Sequence, residues 1–221
     1  AKVFCVLPEV LARIKNLFDL YCEPKAVYET LQVMNTLQPG LCVLGTRLPG
    51  CFNVFEMSVR AVLGQQVTVK AASTLAARLV AAYGTQVQTG IEGLTHSFPA
   101  PAAILALGEN ISGHLGKLGI ISAHANTIYQ LARVLADEKN DFGFWGNPEE
   151  EMQKLQSIRG IGSWTAQYIA MRAMGWPDAF LPTDAGIKKA LPDHTPKELQ
   201  ALSEAWRPWR SYATVNLWNT L

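Results

Sequence analysis

The segment of this chain best suited to bind an anion is a turn built from two closely spaced glycines, Gly160 and Gly162. Asn147 can cap a helix that leads into the turn, and residues 163–174 favour a second helix that leaves it. Glycine lets the backbone bend sharply and approach a ligand, and the first N–H groups of a helix have no acceptor within it. The segment can therefore hold a phosphate on its backbone amides, or it can be an ordinary turn between two helices.

A single carboxylate, Asp184, follows this turn at a distance that lets the two come together. It lies 22 residues after Gly162. The helix over 163–174 would span about 18 Å, and the residues that connect it to Asp184 could extend over up to about 30 Å. The chain can thus fold back and bring a negative charge near the turn. The alternative is that Asp184 only caps another helix, because acidic side chains are favoured at helix N-termini.

Two aromatic residues, Trp164 and Tyr168, lie four positions apart in the helix that leaves the turn. This spacing places them on one face, since residues three and four apart are neighbours on a helix surface. The apolar residues of the same helix point elsewhere, so the aromatic pair can face a cleft. The alternative is that the pair packs in the core.

Helices must position these residues, because the dominant hydrophobic period along the chain is helical. A first helix is expected to begin after Pro8, Asn53 to cap a second with Glu56 in the capping-box position, and an alanine-rich helix to run over 67–83. The segment 85–101 lacks a clear period and is expected to be a surface loop. Further helices are expected to begin near Pro101, Ser122, Thr195 and Arg210. No strand is predicted, so the expected fold class is all-α.

The composition suits a folded protein but does not indicate a partner. The chain has 221 residues, 49% of them hydrophobic, which is enough for one compact unit of one or two subdomains. The net charge is only +1, whereas a protein that held DNA mainly by lysine and arginine would be more basic. Any binding of nucleic acid would therefore depend on the backbone amides of the glycine turn and on a local basic patch.

The cysteines indicate a reducing compartment. All four lie in the first quarter of the chain, at spacings that fit neither a zinc site nor a small disulfide framework: Cys5, Cys22, Cys42 and Cys51. They are expected to be thiols of a cytoplasmic protein. No apolar run reaches transmembrane length and no signal segment opens the chain, so no membrane partner is expected.

Several segments spread over nearly the whole chain match one protein family in the same order. The chain resembles the helix-hairpin-helix superfamily of DNA glycosylases, specifically the AlkA-type branch of bacterial 3-methyladenine DNA glycosylase II. The matching segments are 18–20 with Cys22 and Pro24, 47–51, 55–56, 59–65, the hairpin at 156–166, 180–182 with Asp184, and 206–213.

The resemblance implies a fold of two helical lobes with a cleft between them. One lobe would span 54–176 and contain the helix-hairpin-helix at about 148–174, and the other would combine 1–53 with 177–221. AlkA-type enzymes carry an additional small α/β domain before these lobes. We expect this chain to lack it, as part of a longer polypeptide, and to act as a monomer.

The resemblance also implies the chemistry. An alkylated purine of the 3-methyladenine type is cationic and leaves as a neutral base, so one carboxylate, Asp184, would suffice to stabilise the developing positive charge or to deprotonate water. Trp164, Tyr168 and Trp218 would line the pocket for the flipped base and attract it through cation–π contacts. The partner would be double-stranded DNA that contains alkylated bases, and the product an abasic site.

The sequence disfavours two classes of glycosylase within this superfamily. Bifunctional relatives carry a lysine where this chain has Trp164, so no covalent imine and no strand cleavage are expected. Relatives with an iron–sulfur cluster use four cysteines near the C-terminus, whereas no cysteine follows Cys51, so no cofactor of that kind is expected.

The resemblance assigns further contacts to the hairpin and its surroundings. Gln66 would fill the space of the flipped base, although an exposed glutamine at a helix end is the plain alternative. DNA contacts would come from Gly160, Gly162, Ser163 and Thr165. A structural sodium or potassium ion would bind the backbone carbonyls of Gln156, Ile158 and Gly160. Ala190 departs from the family, which has a basic residue there, and Lys188 and Lys189 could compensate.

Three alternative functions differ from an alkylated-base glycosylase. The first is an oxidised-base glycosylase of the same superfamily, which Trp164 disfavours. The second is a helix-hairpin-helix DNA-binding module without catalysis, which Asp184 and the aromatic residues disfavour. The third is a helical protein-interaction domain, which would leave the two hairpin glycines without a purpose.

Overall fold

Helices form nearly all of the regular structure in a computed structural model of the chain, which describes residues 2–136 and 147–221. Within these ranges there are twelve α-helices: α1 Lys2–Leu17, α2 Pro24–Leu31, α3 Val54–Leu63, α4 Val69–Tyr83, α5 Pro101–Leu105, α6 Ile111–Gly116, α7 Ser122–Leu135, α8 Pro148–Ser157, α9 Ser163–Ala173, α10 Ala185–Ala190, α11 Pro196–Leu202 and α12 Arg210–Trp218. Short 3₁₀ turns lie at Gln32–Thr36, Gly108–Asn110 and Ser203–Trp206. The predicted all-α fold class is confirmed.

Polar residues cap the helices where the sequence predicted them. The Asn53 side chain accepts a hydrogen bond from the Glu56 amide at 2.8 Å at the start of α3. Asn147 accepts from the Glu149 amide at 3.0 Å at the start of α8. Thr195 and Glu198 form a reciprocal capping box before α11. Each cap satisfies amides that have no partner within the helix, which fixes where the helix begins.

One predicted helix start was wrong, and another lies two residues from its expected position. The first helix does not begin after Pro8 but at Lys2, with Pro8 inside it. A proline removes one backbone hydrogen bond, and the remaining bonds of a 16-residue helix maintain it. The alanine-rich helix, expected from about Val67 to Tyr83, spans Val69–Tyr83, because Thr68 adopts an extended backbone and caps it.

A short β-ladder corrects the prediction that no strands would form. Strand β1, Thr85–Gln86, pairs antiparallel with β2, His96–Ser97, in the segment expected to be a plain loop. The preceding Gly84 permits the approach of the two backbones, since a Cβ there would lie 2.4 Å from the Ser97 carbonyl oxygen. Strands of two residues lack the alternating pattern that a sequence analysis detects.

The chain divides into two compact units, Asn53–Ala166 and Ala1–Phe52 with Gln167–Leu221. In the first, α3, α5 and α6 pack on α7, and the core includes Val59, Val62, Leu79, Ile104, Leu115, Ile128, Leu131 and Leu155. In the second, α10 packs on α12, and the core includes Leu31, Met34, Leu41, Ile187, Leu199, Trp206 and Leu217. The lobe boundaries implied by the family resemblance stay a prediction. None of the described helices is both long and apolar enough to cross a bilayer.

Candidate functional site

Asp184 is the N-cap of the short helix α10 and is almost fully buried, with 9% of its surface exposed. Its Oδ1 accepts hydrogen bonds from the amides of Gly186 at 2.9 Å and Ile187 at 3.1 Å. The helix-cap interpretation of Asp184 is therefore correct in its geometry. The capping role of Asp184 is compatible with a chemical role, because a buried carboxylate that backbone amides hold in place is also a fixed negative charge.

The indole of Trp218 approaches the same carboxylate from the end of α12. Its Nε1–H donates to Asp184 Oδ1 at 2.8 Å, which connects residues 34 positions apart in the sequence. Trp218 is half-buried, in contrast to the fully buried residues that precede it on α12. An indole N–H that meets a carboxylate makes a charge-assisted hydrogen bond, which is stronger than a neutral one.

Tyr168 completes an aromatic wall next to Asp184. Its ring centroid lies 6.2 Å from that of Trp218, with 58° between the ring planes. Both side chains are half-buried, as is Trp164, which lies one turn earlier on α9. The structure thus joins Asp184, Trp218 and Tyr168 through direct contacts within one unit. The role of each residue in binding a base stays a prediction.

Arg172, which the sequence analysis did not select, also contacts this wall. Its guanidinium carbon lies 5.9 Å from the centre of the Tyr168 ring. Its Nη1 donates to the Pro49 carbonyl at 2.7 Å, which fixes the group at that distance. The sequence does contain an indication of this contact, because Arg172 lies four residues after Tyr168 in the same helix and is therefore its neighbour on the helix surface. The wall therefore has a permanent positive charge beside it.

The segment that leads to Asp184 is held by the first turn of α12. Asp178 and Arg210 are both buried, and the guanidinium donates to both carboxylate oxygens, at 2.7 Å and 2.9 Å. Ser211 accepts from the Ala179 amide at 3.0 Å and donates to the Trp176 carbonyl at 2.7 Å. One helix therefore secures this segment at its first turn and contacts Asp184 at its last.

The hairpin belongs to the unit Asn53–Ala166 and joins α8 to α9. Gly160 has a left-handed φ of +96°, and a Cβ there would lie 2.1 Å from Thr127 Oγ1. Gly162 is exposed, and no atom lies within 4 Å of the position a Cβ would take. The structural reason for glycine therefore differs between the two positions. Gly160 is required by the fold, whereas Gly162 leaves open space in front of the backbone at the start of α9.

Gln65, at the end of α3, binds the hairpin directly. Its Nε2 donates to the Gly160 carbonyl at 3.0 Å and to Thr165 Oγ1 at 2.9 Å. Thr165 as a whole is 3% exposed, so it offers little surface for the predicted DNA contact, which stays a prediction. Sequence reasoning included Gln65 in the family signature but gave it no role, because a contact over 95 residues has no local signal.

Gln66, the residue predicted to fill the space of a flipped base, lies at the surface with an uncommon backbone. It is exposed and has a φ of +58°, in the left-handed region that non-glycine residues rarely adopt. The adjacent Gln65 is fixed to the hairpin, so the loop that presents Gln66 is fixed as well. Strained backbone of this kind persists where the surroundings enforce it, often at functional sites.

The carbonyls expected to hold a monovalent cation already have partners in part. Ile158 accepts from the Ile161 amide at 3.0 Å, and Gly160 accepts from Gln65. A carbonyl oxygen has two lone pairs, so one hydrogen bond does not prevent it from also contacting a cation. Cation binding at these carbonyls stays a prediction. Among the described residues, no group of three or more histidine, cysteine or acidic side chains could hold a metal ion. Cys22 and Cys42 are free thiols, and burial raises the pKa of Cys42.

A helical fold with a glycine hairpin between two helices, and a buried carboxylate against aromatic rings, defines the class of helix-hairpin-helix glycosylases. Residues 59–209 match the family model described as HhH-GPD superfamily base excision DNA repair protein. The chain belongs to this superfamily.

The match of residues 2–53 to a second family model concerns the start of the chain. That model is described as the AlkA N-terminal domain. The sequence analysis expected the chain to lack this domain, so the match corrects the expectation for these residues, which carry α1 and α2.

Individual relatives support the same assignment. The chain is 38% identical over 215 residues to DNA-3-methyladenine glycosylase 2 of Escherichia coli (strain K12), a match that covers 97% of this chain and 73% of that protein. It is 41% identical to the probable bifunctional transcriptional activator/DNA repair enzyme AlkA of Mycobacterium tuberculosis (strain CDC 1551 / Oshkosh), covering 95% of this chain but only 42% of that protein. In fold it is similar to a 3-methyladenine DNA-glycosylase from Archaeoglobus fulgidus, with a TM-score of 0.77 at 22% identity, covering 96% of this chain and 74% of that one.

Proposed function

We propose that the chain is a monofunctional DNA glycosylase that removes alkylated purines of the 3-methyladenine type from duplex DNA. The observation that carries the proposal is the contact of one buried carboxylate with an aromatic wall: Asp184 Oδ1 lies 2.8 Å from Trp218 Nε1, and the Tyr168 ring lies next to that indole in a tilted arrangement. The name of the Escherichia coli relative, DNA-3-methyladenine glycosylase 2, supports the choice of 3-methyladenine as substrate.

The chemistry needs only one acid. Alkylation at N3 or N7 makes the purine cationic, so the bond from the base to C1′ of the sugar breaks with its electron pair moving to the base, which leaves neutral. The sugar then carries oxocarbenium character. The carboxylate of Asp184 stabilises that charge, and a water molecule adds its oxygen to C1′ and loses a proton. The product is an abasic site with an intact strand.

Base selection follows from the aromatic wall. The base leaves the stack before it reacts, since its glycosidic bond is inaccessible inside a duplex. Trp164, Tyr168 and Trp218 then receive it, and each electron-rich ring attracts a cation by about 0.5–2 kcal/mol. Normal purines are neutral and lose this attraction, which favours the damaged base.

The hairpin and the adjacent loop bind the DNA duplex. The exposed backbone at Gly162 and Ser163 leaves room for a phosphate at the start of α9, where free amides and the helix dipole favour an anion. Gln66 fills the space of the flipped base and hydrogen-bonds its former partner. A monovalent cation on the carbonyls of Gln156, Ile158 and Gly160 would hold the hairpin in shape.

Strand cleavage is not part of the proposed activity. Trp164 occupies the position at which bifunctional relatives carry a lysine, and Ser163 and Thr165 offer no amine either. Borohydride trapping on a duplex that contains a damaged base should therefore give no covalent complex. We further propose a monomer that acts in the cytoplasm. The free thiols of Cys22 and Cys42 support a reducing compartment.

Release of 3-methyladenine from alkylated duplex DNA, by this chain and by Asp184→Asn, tests the proposal. Asparagine still accepts the amides of Gly186 and Ile187, so the variant should fold and bind DNA, while its rate falls by about 100-fold or more. Asp193→Asn is the matched control, because Asp193 is an exposed acid.

Two results would contradict the proposal. If Asp184→Asn releases base at the original rate, the catalytic assignment is wrong. If the unchanged chain binds duplex DNA but releases no base, the chain acts as a non-catalytic DNA-binding module. Preferential release of an oxidised purine over 3-methyladenine would favour the oxidised-base alternative.

A further inference from the structure

The carboxylate of Asp184 is held by two kinds of hydrogen bond. The amides of Gly186 and Ile187 are local donors that any capping aspartate would have. The indole N–H of Trp218 is a donor from another helix, at 2.8 Å, and it meets the same oxygen, Oδ1. This third bond ties the orientation of the carboxylate to the aromatic wall.

The contact between Trp218 and Asp184 depends on the absence of a side chain at Gly186. A Cβ at this position would lie 2.7 Å from Cδ1 and 2.9 Å from Nε1 of the Trp218 indole, and 3.0 Å from Asp184 Oδ1. Gly186 does not have a left-handed φ, so space rather than backbone freedom is the reason for glycine. A methyl group here would push the indole away from the carboxylate.

The position of the indole is set by the anchors of α12 and not by Asp184 alone. Arg210 forms a buried pair with Asp178 at the first turn of the helix, and the Tyr212 hydroxyl donates to Asp19 Oδ2 at 2.9 Å. Asn216, two residues before the end of the helix, accepts from the Val43 amide at 3.0 Å. A helix fixed at three points presents its last residue at a defined place, so the indole donor is in position before any substrate arrives.

We propose that Trp218 is a positioning residue for Asp184, acting through its indole N–H, and that Gly186 is the residue that allows this contact. The inference rests on the proposed glycosylase function and adds to it a second role for an aromatic wall residue. The indole holds the carboxylate in one orientation, so the negative charge is preorganised for the transition state instead of being reoriented during the reaction.

A double-mutant cycle on single-turnover excision of 7-methylguanine from a duplex oligonucleotide tests the proposal. Trp218→Phe keeps an aromatic ring and removes the N–H. We expect its rate to fall by about 10- to 100-fold, with the enzyme concentration for half-maximal rate within about twofold of the original. Gly186→Ala should lose rate to a similar extent, because it displaces the same indole.

The two substitutions remove one and the same hydrogen bond, so their effects should not multiply. We expect the double variant to be within about threefold of the slower single variant. Trp209→Phe serves as the matched control for loss of a tryptophan, since Trp209 contacts Tyr212 and not Asp184. The proposal is overturned if Trp218→Phe keeps its rate, if its loss lies wholly in the half-maximal concentration, or if the double variant shows the product of the two losses.

A spectroscopic measurement tests the contact without relying on catalysis or on Gly186→Ala folding. The indole ¹H–¹⁵N resonance of Trp218, assigned by its disappearance in Trp218→Phe, should shift in Asp184→Asn, while that of Trp209 should stay in place. A Trp218 resonance that does not move would overturn the proposal. If the resonance shifts but the unchanged chain releases no base, the contact exists and the proposed function is what has failed.

Discussion

Arg172 holds its guanidinium 5.9 Å from the centre of the Tyr168 ring and donates at 2.7 Å to the Pro49 carbonyl. A permanent positive charge therefore lies against the ring proposed to receive a cationic base. Because like charges repel, we expect this arrangement to weaken the preference of the wall for cations and to make neutral lesions relatively better substrates.

Replacing Arg172 by glutamine should sharpen the preference for cationic bases. The rate of 7-methylguanine release relative to release of neutral hypoxanthine should rise by about 3- to 10-fold, since the opposing charge is gone. Arg172→Lys keeps the charge and should leave the ratio within about twofold. A ratio that stays constant while both rates fall together would indicate that Arg172 only supports the fold.

The two hairpin glycines should respond differently to alanine. Gly160→Ala places a methyl group 2.1 Å from Thr127 Oγ1 at a left-handed φ, so it should lower the free energy of unfolding by about 2–4 kcal/mol. Gly162→Ala has no neighbour within 4 Å and should leave that free energy within about 1 kcal/mol. Chemical denaturation measures both.

The affinity for duplex DNA is a second quantity in which Gly162 should differ from Gly160. Gly162→Ala covers the backbone proposed to meet a phosphate and should weaken binding to duplex DNA by about 10-fold despite its stable fold. Unchanged affinity in fluorescence anisotropy would show that the backbone at Gly162 does not approach the strand.

Gln65→Leu should loosen the hairpin, because it removes both side-chain bonds to it and leaves the buried Thr165 hydroxyl without this donor. The expected loss is about 1–2 kcal/mol in the free energy of unfolding, and DNA affinity should fall with it. Gln200→Leu, at an exposed position of α11, is the matched control and should change neither quantity. Normal DNA affinity in Gln65→Leu would mean that the hairpin keeps its shape alone.

Asp178→Ala should be the most destabilising of these changes. It leaves the buried guanidinium of Arg210 without its bidentate partner, a situation that costs about 3–5 kcal/mol. Glu204→Ala removes another partner of Arg210, but that carboxylate is 54% exposed, so the loss should be below about 1 kcal/mol. Equal losses in the two variants, measured by urea unfolding at neutral pH, would contradict this ranking.

Local chemistry in the sequence was enough to predict several helix starts and two elements of the candidate site. Asn53, Asn147 and Thr195 are capping residues whose role depends on only a few neighbours. The same holds for the glycine hairpin and for the N-cap position of Asp184. Tyr168 and Trp218 were assigned to one wall by family resemblance, and they lie in contact.

Contacts between distant segments were not predictable from sequence. The space that Trp218 needs at Gly186 depends on how closely α10 and α12 approach, which no local pattern encodes. Gln65 likewise contacts a carbonyl 95 residues away. The helix through Pro8 and the strands at Thr85–Gln86 escaped detection because the local signals there, a proline and a segment without a period, favour other structures.

The carboxylate of Asp184 both begins a helix and faces an aromatic wall, and the amide of an asparagine can do the first task without the charge. Asp184→Asn is therefore a candidate reagent for capturing lesions: a folded protein that engages a damaged duplex and stalls. Such a stalled complex would suit crystallisation with an intact modified nucleotide, or enrichment of methylated fragments from treated genomic DNA.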